Sequence, residues 1–293
     1  MIAPPPLAQL RQALPHLPPR LQELARFIIQ HEFDAATRPM RELAAASGAN
    51  PASFTRLAQA IGYIGWDAMR DALIERREKT GRPFSARLRD VVRTAGDDRI
   101  TSAAELAGAS LASDAAAVAQ LQADPIGPAA EALHRAERIW TAGFRSCRLV
   151  AQLLTYEFSI FLPRIVQQIG AERPEDLDLG ALQRGDVLLL VSIAPYTRNA
   201  LLAARAARDA GCVLITLTDD AGAPVARDAD HRLVFDIASP GFFPSLAGAV
   251  ATAQALAAAT FLLCGEVARD RLREAEERTA ALAQYLPQEE PQA

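Results

Sequence analysis

Hydroxyl, phenol and guanidinium groups crowd into one stretch of the chain, Val191-Ser-Ile-Ala-Pro-Tyr-Thr-Arg-Asn-Ala200, which offers Ser192, Tyr196, Thr197 and Arg198. It lies between the apolar run DVLLLV and the alanine-rich LLAARAARDAG. A buried strand that passes through a short polar loop into a helix presents the unpaired N–H groups and partial positive charge of the first helical turn, which suits a small anion. A second loop of this kind, Gly143-Phe-Arg-Ser-Cys147, ends the strand-like RIWTAGF and adds Gly143, Arg145 and Ser146. Arg145 and Arg198 can each hold a carboxylate or phosphate through paired N–H bonds, and Tyr196 adds a stacking face. The expected ligand is a small anionic metabolite, a sugar phosphate or a carboxylate, held by side chains.

A different chemistry is written nearer the N-terminus. In ANPASFTRLAQAIGY, Asn50 stands at a helix N-cap and Pro51 at the first helical position. Phe54, Leu57, Ala58 and Ile61 fall on one side, leaving Asn50, Ser53, Thr55, Arg56 and Gln59 on the other. Arg pairs with guanine, and Asn or Gln with adenine, through two hydrogen bonds each. The preceding MRELAAASG reads as a short helix closed by Gly48, and two helices joined by a tight Gly-containing turn form a helix-turn-helix pattern. Arg41 and Arg70, with Arg38, Arg76 and Arg77, are candidates for contacts to DNA phosphates. The competing reading is a helical dimerisation domain with an ordinary polar surface, since Arg56 is the sole charge on the second helix.

Charge is divided unevenly along the chain. The net charge is −4, yet residues 1–90 carry 13 Lys/Arg against 9 Asp/Glu and residues 91–293 carry 18 against 26, so the N-terminal part is the candidate partner of a polyanion. At 293 residues and 50% hydrophobic, the chain can bury a full core and has room for two domains. No charged segment precedes an apolar one in MIAPPPLAQLRQALPHLPPR, and Cys147, Cys212 and Cys264 are widely spaced, so export, a disulfide framework and a zinc site are not expected. A cytoplasmic location fits. Nothing ionisable lies between Asp236 and Glu266, a stretch long enough to span a bilayer, but its alanines, Gln254 and two threonines fit a helix covering a sheet.

The elements that must position these residues follow from periodicity. Helices are expected over 18–32, 40–48, Asn50 to Ile61 and WDAMRDALIERREKTG, and a connector helix over 101–122. Strand-like segments at 138–144, 164–170, 186–194, 212–219 and 231–238 alternate with helix-like ones, including DLGAL, which implies a parallel sheet covered on both faces. Ligands in such sheets bind at the carboxyl ends of strands. The division is 1–80 for DNA reading, 81–128 for a helical connector, 129–285 for the α/β domain and 286–293 for a tail. The uncharged helix 244–264 and the helix EVARDRLREAEERTAALAQYL are candidate subunit contacts of a homodimer or homotetramer.

MRELAAASGANPASFTRLAQAIGYIGWDAMRDAL resembles the N-terminal helix-turn-helix of RpiR/MurR-type transcriptional regulators, through Glu42, Leu43, Ala44, Gly48, Ala52, Arg56, Gly62, Tyr63, Gly65 and Trp66. The α/β part is similar to the sugar isomerase (SIS) domain that follows in that family, and the two together cover roughly residues 10–285. The resemblance implies a regulator that binds operator DNA as a dimer or higher oligomer and senses a small metabolite, often a phosphorylated sugar. Two loops depart from it. Where the family reads S-x-S-G-x-[ST], this chain reads Ser192-Ile-Ala194-Pro195-Tyr196-Thr197, and where it favours G-x-G-x-S the chain has Arg145 and Cys147 in place of the second Gly and the Ser. Proline cannot donate and a side chain blocks close backbone approach, so the usual backbone cradle for phosphate is not expected.

An isomerase of this kind needs a general base beside the sugar. In the long uncharged helix, where related enzymes commonly carry an acid, stands Gln254, and an amide takes no proton at neutral pH. Glu157 and Asp219 remain as acids near strand ends. His16, His31, His134 and His231 show no metal-like or triad-like pairing, and neither a Walker A loop nor G-x-G-x-x-G is present. No catalytic residue, metal or cofactor is assigned, and a phosphosugar isomerase or a DNA-independent metabolite-binding protein are the alternatives to a regulator.

Overall fold

The computed structural model describes residues 6–81, 84–95, 99–119, 121, 123–170 and 177–282. The N-terminal part is helical throughout: α1 Pro6–Ala13, α2 Pro19–Gln30, α3 Glu32–Thr37, α4 Met40–Ser47, α5 Pro51–Ala60 and α6 Trp66–Gly81. Leu10, Leu24, Ile28, Leu43, Phe54, Leu57, Trp66, Met69 and Leu73 close a single core with almost no exposed surface. Phe54 meets the edge of Trp66 at 4.8 Å, so α5 is clamped to α6 through one face only.

Two boundaries differ from the periodic reading. The helix expected over 18–32 is cut at His31, which leaves helical geometry (φ −123°, ψ 44°) with Nδ1 2.9 Å from the Phe27 carbonyl oxygen and its ring stacked on Phe27. Helix α1 was not foreseen, because in a proline-rich segment only Leu7 and Leu10 signal its buried face. At the end of α4, Gly48 adopts φ 67°, which turns the chain sharply into α5 without a side-chain clash.

The connector is more helical than its Ala/Ser/Asp-rich composition indicated. It holds α7 Phe84–Ala95 and α8 Arg99–Val118, and then α9 Ile126–Arg135, where Pro128 sits harmlessly in the first turn. The strands follow as β1 Ile139–Gly143, β2 Val166–Gln168, β3 Val187–Ser192, β4 Val213–Thr218 and β5 His231–Val234, all parallel in the order β2-β1-β3-β4-β5. Each expected strand is present and shorter at its ends, and DLGAL is a 3₁₀ turn at Leu179–Ala181. Helices α9, α10 (Cys147–Phe161) and α12 (Ala247–Ala281) cover one face of the sheet, while α11 (Arg198–Ala210) covers the other.

The two helices expected after the last strand are one run, α12, kinked at Gly265 (φ 58°, ψ −132°). By length and composition α12 could cross a membrane. Here Ala249, Thr252, Ala253, Leu256 and Thr260 are buried, mostly against α9 and α10, whereas Leu262, Leu263 and Val267 are exposed. Residues 286–293 lie outside the described residues.

Register aligns the working edge. Gly143 pairs with Val191 and Ser192 with Thr218, so β1, β3 and β4 finish at one level. The opposite edge is tied by Asp186, 1% exposed in its side chain, which binds Arg138 twice (3.0 and 2.7 Å) and accepts from Trp140 Nε1 and the Gln183 amide, each at 3.0 Å. Removing a carboxylate that accepts four such bonds leaves Arg138 Nε, Trp140 Nε1 and the Gln183 amide unpaired, while Arg138 Nη2 keeps only its bond to the Ala181 carbonyl at 3.1 Å. Asp186→Ala is expected to lower the Tm of the α/β domain by several degrees in calorimetry. Glu131→Gln, which breaks only the exposed Arg135–Glu131 pair, is expected to change it little.

Candidate effector site and DNA-reading face

The carboxyl edge of the sheet gathers the predicted ligand residues on three loops. After β1, Gly143 approaches α10 so closely that a Cβ would collide with the Cys147 carbonyl oxygen, which requires glycine there for packing. Arg145 takes up φ 55°, a positive φ that among the other described residues only glycines adopt, and its side chain is exposed. The first amides of α10 are used locally: Cys147, Arg148 and Leu149 N–H donate to the carbonyls of Phe144, Arg145 and Ser146. Ser146 is the N-cap residue but its side chain makes no capping bond.

After β3, buried Ser192 is followed by a cis Ala194–Pro195 peptide and half-buried Tyr196. Thr197 caps α11, its Oγ1 accepting from the Ala200 amide at 3.2 Å. Arg198 is exposed at the first helical position. No hydrogen bond or ion pair among the described residues engages the Arg145 or Arg198 side chains, so both guanidiniums stand available at the rim. The third loop, after β4, supplies the residue that the sequence reading noted only as a possible acid. Asp219 Oδ1 accepts from the Ala194 amide at 3.2 Å, the Tyr196 hydroxyl at 3.0 Å and the Thr218 hydroxyl at 3.4 Å.

Burial pushes the Asp219 carboxyl up to about 6; the Tyr196 bond opposes that rise and neighbouring Asp220 adds to it. Because the folded value lies above the unfolded one, the native state is favoured below pH 3.8 and that advantage is lost as pH rises through about 6. Asp219→Asn carries no such cost. Its stability relative to the wild type is therefore expected to improve by roughly 2 kcal/mol between pH 4 and pH 7.5, read from urea unfolding at both pH values. A difference independent of pH would contradict the burial of this carboxylate.

The other acid does not join this site. Glu157 lies ten residues into α10, roughly 15 Å from its start. Burial raises its carboxyl and a hydrogen bond with Gln254 opposes the shift, while its Oε2 is buried without a partner. Among the described residues no group of three His, Cys, Asp or Glu is placed to hold a metal ion, and Cys147, Cys212 and Cys264 are free. His134 faces Cys264 at 3.3 Å, away from the carboxyl edge.

On the N-terminal part, α5 turns Phe54, Leu57 and Ala58 inward and exposes Arg56 and Gln59, with Ser53 and Thr55 partly exposed. Asn50 is committed to structure: its Oδ1 accepts from the Ala52 amide at 3.0 Å, which leaves only its amide N–H groups for a partner. Gln59 is half committed, donating Nε2 to the Ile64 carbonyl at 3.2 Å and keeping Oε1. Arg41 is exposed and Arg70 partly so; the side chains of Arg76 and Arg77 lie outside the described residues. Ile64, 90% exposed in the turn between α5 and α6, was missed by the sequence reading because its run IGYIGW carries no polar signal.

Residues 132–263 match the SIS domain family. The chain is 26% identical over 230 residues to an uncharacterised HTH-type transcriptional regulator of Caldanaerobacter subterraneus subsp. tengcongensis, with 78% of each protein covered. Its fold is similar to the sugar isomerase domain of an RpiR transcription factor from Sphaerobacter thermophilus, with a TM-score of 0.55 and 26% identity over 59% of this chain and 99% of that one. It also shares the fold of the Vibrio vulnificus NanR protein, solved in complex with ManNAc-6P, with a TM-score of 0.52 and 20% identity over 96% of this chain and all of that one.

Proposed function

We propose that this chain is a SIS-domain transcriptional regulator of the RpiR type, which reads operator DNA through α5 and senses a small anionic metabolite at the carboxyl edge of its sheet; the SIS match and the regulator relatives support the reading. The observation that carries the reading is the way α5 is mounted. Its apolar face is locked by Phe54 and Leu57 into the core, the left-handed Gly48 sets its angle to α4, and Arg56, Gln59 and the partly exposed Ser53 and Thr55 are left outward. Ile64 stands beside them as an apolar contact for a thymine methyl group. Arg41 and Arg70 flank the face as phosphate contacts.

The effector is gripped at its charged end by Arg145 and Arg198, with Ser146, Ser192, Tyr196 and Thr197 lining the approach. NanR in complex with ManNAc-6P supports a phosphorylated sugar as one candidate and the rim arginines admit a carboxylate equally. We place the molecule in the cytoplasm, acting as a homodimer or homotetramer whose two reading helices span successive turns of the duplex. The boundaries 1–80, 81–128 and 129–285 are proposed as its DNA-reading, connecting and sensing parts. On these loops the acid beside Asp219 is Asp220, whose Oδ1 accepts from the Gly222 amide at 2.8 Å, and Glu157 stands apart on α10, so we assign no general base for an isomerase.

Duplexes selected from a random-sequence library by repeated binding are the direct test. One sequence class is expected to be enriched, with affinity falling steeply as salt rises. Arg56→Ala is expected to weaken the selected duplex by roughly 1–3 kcal/mol and relax its sequence preference, and Arg41→Ala to reduce the salt slope by about 1. No enrichment together with a flat salt dependence would leave a metabolite-binding protein without DNA contact.

A further inference from the structure

The carboxylate of Asp219 is satisfied on one side only. The donors of Ala194, Tyr196 and Thr218 all converge on Oδ1, and no other residue among those described donates to Oδ2. Ser192, 3% exposed at the end of β3 and paired in register with Thr218, has a hydroxyl that no hydrogen bond among the described residues engages. The ends of β3 and β4 thus offer a hydroxyl, on Ser192, and an acceptor, on Asp219.

The backbone donors next to Asp219 are taken: the Ala194 amide is bonded to it and Pro195 has none. The Ala200 amide is capped by Thr197 and the first three amides of α10 are bonded to carbonyls, which leaves the Arg198 and Asn199 amides at the start of α11, beside the exposed Arg198 side chain. A phosphate pushed inward against Asp219 would meet a carboxylate. The guanidiniums that suit it lie outside, on exposed Arg145 and Arg198.

We propose that the effector enters hydroxyl-first: a donor group of a polyhydroxylated compound docks on Asp219 Oδ2, while the carboxylate or phosphate of the same compound stays at the rim on Arg145 and Arg198. The proposal rests on the reading of this edge as the effector site. Asp219 sets specificity, and Tyr196 is a positioning residue that fixes Oδ1 so that Oδ2 points to the ligand. Hydroxyl groups are required of the effector, and a bare anion is not enough.

The test uses the full chain at pH 7.5, by calorimetry and thermal shift, against a panel of sugar acids and sugar phosphates that includes gluconate and glucose 6-phosphate, with acetate and inorganic phosphate as hydroxyl-poor counterparts. Members of the panel are expected to bind at least tenfold more tightly than acetate or inorganic phosphate. Asp219→Asn puts an N–H donor where Oδ2 stood, so it is expected to weaken the hydroxylated anions at least tenfold and to admit inorganic phosphate. Tyr196→Phe removes a single hydroxyl and keeps the fold within reach of the test; a severalfold loss is expected. The proposal is overturned if inorganic phosphate binds as tightly as the panel, if no hydroxylated anion binds, or if both variants retain wild-type affinities. Arg145→Ala and Arg198→Ala separate the two levels of the argument: if they leave every response intact, the effector reading of the rim itself fails.

Discussion

A half-buried carboxylate at the end of a parallel strand is costly unless donors surround it, and at Asp219 the loop between β3 and α11 supplies them. That arrangement shapes the rest of the edge. It draws the Ala194 amide and Tyr196 hydroxyl toward β4, holds the loop against the sheet, and leaves α11 to be capped by its own Thr197. On the far side of β3, Gly143 is pressed against the first turn of α10, whose amides close on their own loop. The first three amides of α10 and the Ala200 amide of α11 are thereby taken by the protein's own groups.

The loop after β5 joins this edge to the connector helices α7 and α8. Asp236 accepts from the Ala238 amide at 2.9 Å, and the Ala238 carbonyl accepts from Ser113 on α8 at 3.2 Å. Phe243 of the same loop meets Phe84 at the start of α7 with ring centres 5.0 Å apart. Under the proposed function, connector helices that rest on a loop of the sheet would give ligand binding a mechanical route, provided the ligand prefers one of two placements of those helices.

How much of this the sequence carried depended on the length of each pattern. The five strands were legible because runs such as DVLLLV and CVLITLTD are wholly apolar and bounded by turn residues, and α5 because a cap, a proline and an inward triad coincide. Helices α1, α7 and α9 were not, since each is short or broken by proline and its buried face is decided by tertiary packing. At the site, the departure from the Gly-rich loops was readable from Pro195 and Arg145, and the residues named on the β1 and β3 loops do lie together at the carboxyl edge of the sheet. That Asp219 would consume the donors of the β3 loop is a fact of three-dimensional closure that no spacing encodes.

The central claim is that one chain couples a metabolite held at the sheet edge to a duplex held on α5. Reciprocal titration tests it most directly: the effector's Kd is measured on the free protein and on the protein saturated with its selected duplex, and the duplex Kd with and without saturating effector. Linkage requires the two ratios to be equal and different from one. Effector affinity that is identical with and without bound DNA would contradict the coupling, whatever each site binds alone.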